Sequence, residues 1–300
     1  MASQQDLKRR IRSVRNTRKI TKAMELVAGA RLRRAEARIQ AMRPFADRMR
    51  ELMIGTARAA GPTASRLPLL EERSEVRTVA VVVVTGDRGL AGPFNTQILR
   101  RAFALERELR GAGQGAAWLV VGKKGRSTLT FRRYELAGAW AGFTDRPAYA
   151  DAGAVANRLI ELFTQREVDR VVMVYNRYIS PLAQQVETLD LLPVPRRALE
   201  EDEAKTPYEI ALEGDFIYEP EPEEILRRLL PAYVETTVYR ALLESAASEL
   251  GARMTAMRNA TKNADELIDR LTLDMNRARQ AEITREILEV VAGADALEYG

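Results

Sequence analysis

Two rows of apolar residues, seven positions apart, run through the last eighty residues or so of the chain. One row is Leu243, Leu250, Met257, Ala264, Leu271 and Ala278. The companion row is Ala247, Met254, Thr261, Ile268 and Met275; ten of these eleven positions are apolar and the other is Thr. A heptad repeat keeps one seam of a helix turned toward a partner helix and winds the pair into a left-handed supercoil. From about Pro222 to about Val291 the sequence reads as one uninterrupted helix. A seam buries nothing by itself, so the chain must contain its partner or find one.

The opening of the chain supplies that partner. From about Ser3 to about Ala60 one row is Leu7, Val14, Thr21, Ala28, Ala35, Met42 and Met49. Its companion is Ile11, Arg18, Glu25, Leu32, Ile39, Ala46 and Met53, so the stripe holds except at Arg18 and Glu25. Pro44 is expected to kink or locally open this helix. Gly61-Pro62 ends it. At ~1.5 Å per residue the two helices would each be roughly 80–100 Å long. Antiparallel pairing is economical, because a parallel pair needs a connection doubling back over that length.

Between them the periodicity changes. Val76–Thr85 is a β-branched run of the kind found in strands buried on both faces. Phe94–Arg110 reads as an amphipathic helix, Ala116–Gly122 as a second strand, and a short basic helix starts at Lys123. Tyr134–Trp140 is a candidate third strand, Ala148–Gln165 a helix, Asp169–Tyr178 a strand and Leu182–Thr188 its alternating partner. Arg196 to Pro207 is charged and Pro-punctuated, as loops are. This alternation predicts an α/β fold combined with a coiled coil. A long antiparallel two-helix coiled coil from both termini carries an inserted, mainly parallel, Rossmann-like α/β domain. The expected divisions are residues 1–60, 75–195 and 215–295.

Composition removes much chemistry. The chain has neither Cys nor His. Disulfides, Cys/His zinc sites, Cys–His pairs and Ser–His–Asp triads are therefore excluded. An enzyme or a metal centre is not expected. No run reaches the ~18 apolar residues of a membrane span. Residues 1–50 hold fifteen Lys/Arg against four Asp/Glu, whereas the remainder is net negative. A basic helix suits nucleic acid, and a nucleic-acid-binding coiled-coil protein is the alternative of a different class. Against it, the first 44 residues contain no aromatic side chain to stack on bases. The first twenty residues are Arg-rich and acid-poor like a transit peptide. The helical pattern runs straight through them, so they read as mature protein.

The glycine-rich segments do not make a nucleotide site. Gly86-Asp87-Arg88-Gly89-Leu90-Ala91-Gly92 lies between a strand and a helix but lacks the G-x-G-x-x-G or P-loop spacing. Gly111–Gly115 precedes a strand, and Gly122-Lys123-Lys124-Gly125 is too compressed for a phosphate loop. They read as turn glycines that let a helix pack on a sheet, and no cofactor is expected.

The lapses in the heptads carry more. Around Arg18–Ala30, Ile20, Ala23, Met24, Leu26, Val27, Ala28 and Ala30 cover most of the helix circumference. A helix apolar all round is enclosed by protein, and one partner helix cannot enclose it. After Ala278 the closing stripe gives way to Glu282 and Arg285, with Ile283, Ile287, Leu288, Val290 and Val291 forming a broad apolar tip. Such a tip is an aggregation hazard unless a partner receives it. Glu219, Glu221, Glu223 and Glu224 cluster where the middle segment meets the last helix. They suit a helix N-terminus or a basic partner surface.

Several of these segments carry a resemblance. Lys19-Ile20-Thr21-Lys22-Ala23-Met24-Glu25-Leu26-Val27-Ala28 and Ala278-Arg279-Gln280-Ala281-Glu282-Ile283-Thr284-Arg285-Glu286-Ile287 closely resemble the two terminal signatures of the gamma subunit of rotary ATP synthases. Arg43-Pro44-Phe45, Asp87–Gly92 with Asn95, Gly122–Gly125, Tyr175-Asn176, and the stretches Tyr218–Pro220, Val238–Ala241 and Glu249–Met254 match in order. The resemblance covers essentially the whole chain.

It implies a non-catalytic rotor shaft. Ion flow through a membrane c-ring would turn the shaft, which would drive conformational cycling of catalytic beta subunits. The implied partners are alpha, beta, epsilon and c-ring subunits, with no nucleic acid. Lys22, Met24, Arg253, Gln280 and Thr284 are implied in contacts between rotor and stator. Gly89, Leu90 and Gly92 are implied in a loop facing the catalytic head. Phe216, Tyr218 and Glu219 are implied in a foot on the c-ring and epsilon subunit. Many relatives carry Cys where Ala91 stands, and the chloroplast type has a dithiol switch; without Cys neither applies. The absence of a leader points to a bacterial protein, peripheral on the cytoplasmic face of the plasma membrane.

Overall fold

The structure, a computed structural model, describes residues 4–61, 67–195 and 219–298, with side chains through residue 292. Phe216, Tyr218 and the predicted loop from Arg196 to Pro207 lie outside the described residues. In order, the elements are α1 (Gln4–Ala60), β1 (Thr78–Val84), α2 (Phe94–Gly111), β2 (Gly115–Val121), α3 (Lys123–Phe131), β3 (Leu136–Trp140), α4 (Tyr149–Thr164), β4 (Arg170–Tyr178), β5 (Gln184–Leu192) and α5 (Pro222–Glu298). Helix α1 runs on through Pro44. Helix α5 extends beyond the expected end near Val291.

The chain divides into two compact units. One comprises the described residues of Met1–Ala28 and Met254–Gly300, the other those of Gly29–Arg253. Helices α1 and α5 each contribute a segment to both.

The larger unit is built on a five-stranded sheet of order β3-β2-β1-β4-β5. Strands β1 to β4 run parallel to one another and β5 runs antiparallel to β4. Strand β1 is central, which explains its unbroken apolar run. Ala80, Val82 and Val84 pack on one face with Val155, Leu159 and Leu162 of α4, Leu226, Leu230 and Val234 of α5, and Met53 of α1. Val79, Val81 and Val83 pack on the other with Phe94, Ile98 and Ala102 of α2 and Leu129 of α3. Strand β5 starts at Gln184, two residues later than the Leu182 expected from alternation. Leu182 sits in the β4–β5 turn, 72% exposed. That turn is closed by the Ser180 N–H donating to Ala183 O (3.0 Å) and the Ala183 N–H to Ser180 O (3.2 Å).

In the smaller unit the two helices pair. Arg18 meets Asp265, Thr21 meets Thr261 and Glu25 meets Arg258. Numbers rise along α1 as they fall along α5, so the pair is antiparallel. Leu7, Ile11, Ala28, Met257, Ala264 and Ile268 form its buried seam. Continued at the same register, Gln4 falls opposite Ala278–Arg279. Residues 281–292 of α5 lie beyond that point and all are exposed, which is why the heptads lapse there.

Candidate functional site

In an open, mainly parallel sheet, ligands enter the crevice beyond the strand ends where the strand order reverses. Here that place is the C-terminal end of β1, between its neighbours β2 and β4. The chain's own side chains occupy it. A Cβ on Gly86 would stand 2.7 Å from the Glu249 carboxylate, so glycine leaves that carboxylate its place in the crevice. Arg253, one turn further along α5, pairs with Glu249 and donates to Gly89 O at 3.2 Å. Burial pushes the Glu249 carboxyl up, and Arg253 pulls it back only in part.

Asp87 ties this loop to two others. It accepts hydrogen bonds from the Lys123 N–H (3.0 Å), the Gly142 N–H (2.7 Å), the Thr144 N–H (3.2 Å) and the Thr144 hydroxyl (3.0 Å). Burial alone would raise its pKa, but these donors outweigh it and hold the carboxyl below its ordinary value. Gly122 and Gly125 close tightly on Thr85. A Cβ at Gly125 would lie 2.7 Å from the Thr85 hydroxyl oxygen, which accepts the Gly125 N–H at 2.9 Å. Both glycine segments thus serve contacts within the chain.

The smaller unit carries a polar layer inside its apolar seam. The Thr21 and Thr261 hydroxyls are 2.8 Å apart. Arg18 and Asp265 pair at 2.8 Å on one side. On the other, buried Glu25 accepts from Lys22 (3.0 Å) and Arg258 (3.1 Å). The Lys22 hydrogen bond, with Arg258 adding to it, holds the Glu25 carboxyl below its ordinary value against the effect of burial. Arg18 and Glu25, which interrupt the heptads in sequence, are therefore paired across the helices. Their partners Asp265 and Arg258 stand outside both heptad rows of α5, so the stripes alone did not reveal the pairing. Around this layer Ile20 (61%), Leu26 (64%) and Val27 (53%) are exposed.

The family model described as ATP synthase matches residues 3–297. The ATP synthase gamma chain of Rubrobacter xylanophilus is 49% identical over 300 residues, the whole of both chains. That of Moorella thermoacetica is 46% identical over 298 residues, covering 99% of this chain and all of that one. The chain belongs to the ATP synthase gamma family. A solved chain of the Tetrahymena thermophila mitochondrial ATP synthase central stalk and c-ring is 27% identical. It has a TM-score of 0.56 and covers 80% of this chain and 99% of that one. A chain of the Euglena gracilis mitochondrial ATP synthase, 19% identical, shares the fold with a TM-score of 0.67, covering 99% of this chain and 95% of that one.

As a gamma chain it is a non-catalytic subunit of its complex, and the nucleic-acid alternative has no support. No described helix is long and apolar enough to cross a membrane. The residues that the gamma resemblance singles out fall in different places. Lys22 and Met24 lie on α1 beside the polar layer, Lys22 exposed and Met24 half-buried. Gln280 and Thr284 are exposed near the end of α5, where the Thr284 hydroxyl donates to Gln280 O at 2.9 Å. Arg253 is buried, joined to the loop carrying Gly89, Leu90 and Gly92. Leu90 and Gly92 are exposed with positive φ of 65° and 54°. Glu219 is exposed ahead of α5.

Proposed function

We infer that this chain is the central shaft of a rotary ATP synthase, coupling ion flow through a c-ring to conformational cycling of catalytic beta subunits. One observation carries the reading beyond family membership. Ile20, Leu26 and Val27 on α1, and Ile283, Ile287, Leu288, Val290 and Val291 on α5, leave apolar surface exposed on the paired helices. Surface of this kind asks for enclosing protein. A ring of alpha and beta subunits supplies it, with Lys22 and Met24 meeting the ring beside the polar layer and Gln280 and Thr284 meeting it near the tip.

Each beta subunit would then adopt the state that the facing side of the shaft favours, since a contact shifts a conformation only by binding its states differently. Gly89, Leu90 and Gly92 face the catalytic head, held there by Arg253. Glu219, with Phe216 and Tyr218 beside it in sequence, belongs to a foot that meets the c-ring and epsilon. The complex sits on the cytoplasmic face of a bacterial plasma membrane. Tagged chain expressed with its alpha, beta and epsilon subunits should retain all three through purification, as an ATP-hydrolysing head. Recovery of the tagged chain alone from cells holding all four would contradict this reading.

A further inference from the structure

Glu25 is an enclosed carboxylate with a cation on each oxygen. Lys22 Nζ donates to Oε2 at 3.0 Å, and Arg258 Nε to Oε1 at 3.1 Å. Side-chain exposure is 10% for Glu25, 56% for Lys22 and 55% for Arg258. A charge so enclosed is costly unless compensated. With two cations present, one can leave while the other stays hydrogen-bonded to the acid. The two cations also differ. Lys22 lies on the same helix as Glu25, one turn earlier, and borders a shallow cleft with Arg18, Lys19 and Leu26. Its ammonium is a point charge on a flexible stem, free to point elsewhere. Arg258 reaches Glu25 from the opposite helix with a planar guanidinium.

We propose that Arg258 is a positioning residue that keeps Glu25 compensated while Lys22 swings out to pair with a carboxylate of the surrounding subunits. The external half rests on the reading of Lys22 as a stator contact. Lys22 then alternates between an internal and an external acid without stranding the internal one. Without Arg258 it becomes the sole partner of Glu25 and stays.

Amine acylation of the full chain, read by mass spectrometry at each lysine, tests this. In the unmodified chain Lys22 reacts about as fast as its exposed neighbour Lys19. In Arg258→Leu and Arg258→Gln, Lys22 slows by roughly three- to tenfold relative to Lys19, because an amine held by the carboxylate is less often free to react. Arg258→Lys restores the rate, and so does Arg258→Gln combined with Glu25→Gln, which leaves no acid to hold the amine. Loss of structure would speed Lys22, so slowing cannot come from unfolding. An unchanged or faster Lys22 in both Arg258→Leu and Arg258→Gln overturns the proposal. In the assembled head Lys22 becomes protected. If it stays as reactive there as in the free chain, the proposal fails while the shaft reading, which stands on co-assembly, does not.

Discussion

Arg253 of α5 donates to the carbonyl oxygen of Gly89, 3.2 Å away, while pairing with the buried carboxylate of Glu249. The contact joins the long closing helix to the loop after the central strand. It fills the crevice that related sheets leave open to ligands.

Removing one member of a buried pair strands the other. Arg253→Ala should cost about 3 kcal/mol in denaturant unfolding, and Glu249→Gln in the same chain should recover part of that. Burial already raises the Glu249 carboxyl above 4.5, and losing Arg253 raises it further. A raised carboxyl favours folding below its unfolded value and loses that contribution as pH rises through its folded value. The deficit of Arg253→Ala should therefore be small in acid and grow as pH rises above 4.5.

Asp87 behaves in the opposite sense. Its folded value lies below 3.8 because the donors around it favour the charged form. Its contribution is present above 3.8 and lost as pH falls through the folded value. Asp87→Asn should lower stability at pH 7 by about 1–3 kcal/mol. Paired unfolding curves should show that gap closing in acid below 3.8.

The glycines offer a paired test of packing. Gly125→Ala puts a methyl 2.7 Å from the Thr85 hydroxyl and from a Val120 methyl, and should cost about 1–3 kcal/mol. Gly111→Ala meets nothing within 4 Å, and should be neutral or stabilising by up to ~1 kcal/mol. Thermal unfolding of the two variants compares them directly. Equal losses would mean that close approach to Thr85 is not what Gly125 provides.

Much of this was legible in the sequence where one physical signal dominated. The heptads of α1 and α5 name the seam residues, and Val76–Thr85 reads as a doubly buried strand because its β-branched run admits no solvent face; the strand spans Thr78–Val84. The start of β5 was not legible, because Leu182 keeps the alternation of a strand while sitting exposed in a turn. Nor was the role of Glu25. A lone acid in a heptad row reads as a fault until Arg258, 233 residues away, is placed beside it. Arg253 shows the same limit: the resemblance marks the position, but only the fold reveals the carboxylate and carbonyl it touches.

The end of α5 separates stability from coupling. Residues 281–292 are exposed and lie past the register partner of Gln4. Deleting the chain from Arg279 onward should leave its unfolding free energy within ~0.5 kcal/mol of the full chain. In the assembled complex the same deletion should weaken ATP-driven ion pumping before assembly is lost. Full pumping efficiency from the truncated chain would remove the tip from the coupling path.

A shaft of this kind turns inside a catalytic ring. The direct measurement fixes the alpha and beta subunits to a surface, attaches a visible probe near Glu219, and supplies ATP. The probe should rotate continuously in one direction, dependent on hydrolysis. Sustained hydrolysis by an assembled head with the probe stationary would contradict it.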